Sequence, residues 1–144
     1  MPEPTMEALA SIISQNVTEQ VDTGEVKKLP LAGLQSTYEI GEYWIRVLKA
    51  EPKQPDWSAT HREFSVLEKI HAFNRKTADL KLHTPISAPI NVGNAGNILD
   101  RPWQLCRKVK GELLLTRLLK DEDLSQKDAE SIGATIGKFL ARIH

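Results

Sequence analysis

A chain of 144 residues with 19 basic and 19 acidic side chains is domain-sized, and its zero formal net charge gives no electrostatic case for nucleic acid or an anionic membrane as partner. Its single cysteine, Cys106, excludes an intrachain disulfide and a cysteine-based metal site. The apolar runs are too short to cross a bilayer, the N-terminus lacks a secretory pattern, and His61, His71, His83 and His144 lack ligand spacing, so a cytoplasmic protein without a metal of its own is expected.

Residues 6–16 place Leu9, Ile12 and Ile13 at helical spacing and predict a short amphipathic helix. Residues 26–31 read as a first strand, 32–37 as a compact turn and 38–40 as a second strand. Gly41 and Glu42 suit a two-residue hairpin with glycine at its first position. The stretch 43–48 follows as a third strand. Its alternation puts Tyr43, Ile45 and Val47 on one face and Trp44, Arg46 and Leu48 on the other. Residues 51–56 form a loop, with Asp56 or Ser58 available to cap the next helix.

That helix, residues 58–73, carries an apolar arc of Phe73, Val66, Ala59, Ile70, Leu67 and Phe64, and Glu63 falls near the middle of the arc. A carboxylate on a buried face costs several kcal/mol unless a cation meets it. Arg46, a charge within an apolar strand, is the candidate. The alternative is an Arg46 turned to solvent and a Glu63 at a wet helix edge.

Periodicity is lost over residues 74–84. Residues 88–92 and 98–109 then read as two strands around a hairpin at 93–97, and 110–112 open a linker. A final helix starts at the N-cap Ser125 and runs Ala129, Ile132, Ile136, Phe139, Leu140 and Ile143 along one face. Its apolar stripe is still running at His144, which suggests a piece of a longer protein and self-association through this helix.

The order helix, three strands, helix with an inward glutamate, two strands, linker and helix resembles the amino-terminal lobe of a kinase-like fold. Arg62-Glu-Phe-Ser-Val-Leu67, Arg101-Pro-Trp-Gln-Leu105 with Val109-Lys-Gly111, and Ile136-Gly-Lys-Phe-Leu-Ala-Arg-Ile-His144 resemble the aminoglycoside phosphotransferase family of small-molecule kinases. The resemblance implies an α+β lobe: a five-stranded, mainly antiparallel sheet with one packed helix over residues 1–109, and a linker and C-terminal helix over 110–144. It also implies ATP, carried with Mg²⁺, as cofactor. Arg46 would contact the phosphates with Glu63 as its partner, and Gly33, Gln35 and Ser36 would lie in the phosphate-covering loop. Backbone groups of Arg107 and Val109 would face the adenine. The acceptor would be a small hydroxylated molecule. The family's catalytic loop pairs an Asp with a following Asn, and no His-x-Asp-x-x-x-x-Asn pattern occurs in the sequence. Turnover is therefore not expected of these 144 residues alone. The alternative is a non-catalytic half-kinase that serves as a binding or regulatory module.

Overall fold

The alternation expected over residues 43–48 is realised in a strand covered on both faces. In a computed structural model, which describes residues 3–30, 33–49, 58–83, 86–110 and 125–143, this strand is Tyr43–Leu48. It is the middle of a five-stranded sheet formed by β1 (Lys27–Lys28), β2 (Gln35–Ile40), β3 (Tyr43–Leu48), β4 (Pro89–Gly93) and β5 (Trp103–Arg107). The spatial order is β1-β2-β3-β5-β4, and every ladder is antiparallel. Among the described residues there are three α-helices, α1 (Met6–Asn16), α2 (Ser58–Lys76) and α3 (Gln126–Ile143). The protein is α+β.

The main core lies between the sheet and α1, which corrects the expectation of a single packed helix. Thr5 caps α1 by accepting a hydrogen bond from the Ala8 N–H at 3.2 Å. Leu9, Ile12 and Ile13 are 0–2 % exposed and meet Tyr38, Ile40, Tyr43, Ile45, Val47, Trp103 and Leu105. Each such aliphatic side chain contributes about 2 kcal/mol relative to exposure. The opposite face of the sheet carries Gln35, Thr37, Arg46, Gln104 and Cys106, and here α2 lies alongside β4 and β5.

Several boundaries differ from expectation, each for a local reason. The first strand shrinks to Lys27–Lys28, an edge blunted by two lysines. The second begins at Gln35 rather than residue 38, because the β2–β3 register runs unbroken from Gln35↔Leu48 to Ile40↔Tyr43. The hairpin between them turns at Gly41, φ 56°, as its sequence requires. The last strand is confined to Trp103–Arg107, since residues 97–99 spend their backbone groups on a turn: the Gly96 N–H donates to Leu99 O at 2.7 Å and the Trp103 indole N–H to Asn97 O at 2.9 Å. Pro89 opens the other edge strand, where a missing N–H costs least. The polar stretch after α2 contains one 3₁₀ turn, Leu80–Leu82.

Ser125 caps α3 as expected, its hydroxyl accepting from the Asp128 N–H at 3.1 Å. Among the described residues no α3 side chain joins the core, and Ile136 and Leu140 are exposed. The linker expected from residue 110 onwards, the loop at 51–56 with its candidate cap Asp56, and the side chains of Phe139, Ile143 and His144 lie outside the described residues. Among the described residues no helix is long and apolar enough to cross a membrane.

Candidate functional site

Strand alternation turns Arg46 toward α2, and the register sets it in a row with Thr37 on β2 and Gln104 on β5. Helix periodicity turns Glu63 toward the same row. The two meet: the Arg46 guanidinium donates through NH1 to Glu63 Oε1 at 2.5 Å. The other carboxylate oxygen, Oε2, accepts from the Gln35 side-chain amide at 3.0 Å, and Gln35 Oε1 accepts from the Gln104 amide at 3.3 Å. Glu63 is thus held at both oxygens by two different strands.

The pair is half-buried, with side-chain exposures of 31 % for Arg46 and 37 % for Glu63. This falls between the two alternatives read from the sequence, a paired carboxylate on a buried helix face and one at a wet helix edge. The buried face of α2 is formed by Thr60 and Phe64, while Val66 and Phe73 remain about half exposed, so Glu63 lies at the rim of the interface rather than at its centre. A buried pair would make removal of one partner cost roughly 3–5 kcal/mol. At this exposure solvent screens the stranded charge. Glu63→Ala is therefore expected to lower stability by only about 1 kcal/mol, read as a small shift of the urea midpoint. A loss above about 3 kcal/mol would place the carboxylate in a truly dry interface.

Beside the pair opens a pocket of about 350 Å³, lined by Gly33, Leu34, Gln35, Thr37, Arg46, Leu48, Ala59 and Glu63. Its floor is the Arg46 row and its rim is the entry to β2. Of the predicted site residues, Gly33, Gln35, Arg46 and Glu63 converge here. Ser36 does not: as the neighbour of Gln35 in a strand it falls on the α1-facing side, paired with Val47. Arg107 is further along β5, about 10 Å from the Arg46 row at strand rise. Its N–H is donated to Ala88 O at 2.9 Å, its guanidinium is bonded to Glu19 at 3.1 Å, and it stacks over Tyr43. That N–H is therefore engaged within the sheet, and an adenine edge would have to use other backbone groups. Val109 is two residues past the end of β5 and 45 % exposed.

Thr37, Leu48 and Gln104 were not singled out from the sequence. Gln104 carried a readable signal, a polar residue between the apolar Trp103 and Leu105. Cys106 shares its face and is fully buried, and burial pushes its thiol up to about 11, with Arg46 pulling down and Glu63 pushing up. Among the described residues no group of three or more His, Cys, Asp or Glu could hold a metal ion.

No family model, no curated protein and no solved structure matches the chain.

Proposed function

We propose that this chain is the nucleotide-binding lobe of a phosphotransferase, in which Arg46 receives the phosphates of ATP and Glu63 holds Arg46 in place. The observation that carries the reading is the Arg46–Glu63 ion pair joining the middle strand to the helix that follows it, beside an open pocket. A strand cation tied to a helix glutamate is the arrangement with which kinase lobes hold phosphates. The antiparallel order β1-β2-β3-β5-β4, with α2 inserted between β3 and β4, supports the same reading.

The chemistry assigned to these residues is binding. A guanidinium carries five N–H donors in a plane that matches phosphate oxygens, and the contact with Glu63 engages it through NH1. Gly33 and Gln35 border the place where an oxyanion would enter. The described residues do not fit Mg²⁺, because they offer no carboxylate cluster near Arg46. No step is therefore routed through a metal. Transfer to a small hydroxylated acceptor belongs to the proposed family and is assigned to no described residue.

Isothermal titration of the chain with ATP at low ionic strength tests the reading. Binding is expected to be weak, to fall with added salt, and to drop at least tenfold in Arg46→Ala, the loss of one charge-assisted contact of about 1.5–3 kcal/mol. ATP binding that ignores Arg46→Ala, or no binding at all, defeats it. A second reading, a non-catalytic binding module, is favoured by the exposed Ile136 and Leu140 of α3. Light scattering alongside the titration separates the two: a concentration-dependent rise in mass without nucleotide binding supports the module.

A further inference from the structure

We propose that Gln35, itself held by Gln104, is a positioning residue for the phosphate-binding guanidinium and acts on it through Glu63. The inference rests on the nucleotide-binding reading and goes beyond the loop role that the family resemblance implies for Gln35.

A glutamate facing an arginine can close on it with both oxygens, the fork-to-fork geometry that uses two parallel N–H groups. Such a pair would withdraw donors from an incoming phosphate. Here the second oxygen is engaged elsewhere: Gln35 donates to Glu63 Oε2 at 3.0 Å while Arg46 donates to Oε1 at 2.5 Å. The carboxylate is held in a single contact with Arg46, and the rest of the guanidinium is spared for the pocket that Gln35 also lines.

The Gln35 amide has only one orientation that serves both neighbours. Its nitrogen must face the acceptor Glu63, and its oxygen must face the Gln104 nitrogen, 3.3 Å away. Gln104 is fully buried, and its own Oε1 has no hydrogen-bond partner. An orphaned buried acceptor is costly. A core position filled for packing alone would carry an apolar side chain. Gln104 gives its N–H to Gln35, so Gln104, Gln35, Glu63 and Arg46 form one hydrogen-bonded row across three strands and a helix, its donors converging on the Glu63 carboxylate from both sides.

The test uses the 144-residue chain and sodium tripolyphosphate as probe, with calorimetry at several pH values. Gln35→Ala is expected to bind about tenfold more weakly than the parent chain, the scale of one lost hydrogen bond to a charged group. Gln35→Glu is isosteric and separates positioning from packing. As a carboxylate the introduced group repels Glu63 and cannot donate; protonated, it donates to Oε2 as the amide does. Its affinity relative to the parent chain at the same pH should therefore be lowest near pH 8 and recover toward parity as the pH falls toward 5. Should Gln35→Ala fail to fold, this pH-dependent ratio decides alone. Near-parental binding by both variants, or a Gln35→Glu deficit unchanged with pH, while Arg46→Ala abolishes binding, overturns this inference and leaves the nucleotide reading standing. A parent chain that does not bind tripolyphosphate overturns both.

Discussion

Replacing Gly93 with alanine is expected to cost about 3–4 kcal/mol of folding stability, a large share of what a domain of this size possesses. Gly93 faces Trp103 across the β4–β5 ladder, and the indole occupies the space where a side chain at Gly93 would begin. A Cβ at this position would fall 2.1 Å from Trp103 Cε2 and 2.3 Å from Nε1. No real contact is that short, so either the strand or the indole must move. Neither moves freely: Trp103 is 2 % exposed, belongs to the core that includes Leu9 and Ile45, and is anchored by its bond to Asn97 O. Urea denaturation followed by circular dichroism measures the effect. Trp103→Ala alone should cost about 3–5 kcal/mol through the cavity it leaves. In that background Gly93→Ala should cost under about 1 kcal/mol, because the clash has gone. Additive losses would show that glycine is needed there for its backbone and not for the ring above it.

That contact also marks the limit of what could be read from the sequence. Alternation along residues 43–48 is enough to assign both faces of β3, helical spacing is enough for α1, and helical spacing with the Ser125 cap is enough for α3, because these are local properties of consecutive residues. The Arg46–Glu63 pair was legible for the same reason: each charge stands out against an apolar stretch of its own element. Placing Gln104 beside Arg46, or Gly93 under Trp103, needs the register between strands distant in sequence, and no local pattern states it. Phase errors had larger consequences. A β2 that starts at residue 38 puts Gln35 and Ser36 together in a loop, whereas a strand from Gln35 sends them to opposite faces. Periodicity likewise grouped Val66, Phe73 and Phe64 on one arc of α2, yet only Phe64 is buried. A helix's apolar arc tells which residues share a face; the crossing of helix and sheet decides how far along that face the contact extends.

Stability should fall steeply above pH 9, since two buried acids hold their protons more tightly in the folded chain than in the unfolded one. Burial, and secondarily the hydrogen bond to Glu3, raises the Tyr38 phenol from 10.0 to about 12, and burial raises the Cys106 thiol from 9.0 to about 11. The sign follows from proton counting. Between its unfolded and folded values each group is protonated when folded and ionised when unfolded, so alkali favours unfolding. Their contributions are fully present below pH 9 for Cys106 and below pH 10 for Tyr38, and they are lost as the pH rises through about 11 and about 12. Cys106 contributes roughly 2–3 kcal/mol at about 1.4 kcal/mol per pH unit. Tyr38 contributes less, because its hydroxyl reaches out to the exposed Glu3, where solvent screens the contact. Urea midpoints at pH 8.5, 10 and 11.5 should fall in sequence. Cys106→Ala and Tyr38→Phe should each flatten the decline when compared with the parent chain, which cancels the lysines that titrate in the same range. The thiol should also react slowly with a disulfide reagent at pH 8, at a rate set by opening of the sheet, since Cys106 is 0 % exposed. Rapid labelling of the folded chain, or an alkaline slope untouched by Cys106→Ala, would mean that the face of the sheet beneath Arg46 and Glu63 is wet, whereas a slope untouched by Tyr38→Phe would mean the same of the Tyr38 edge of the α1-facing core.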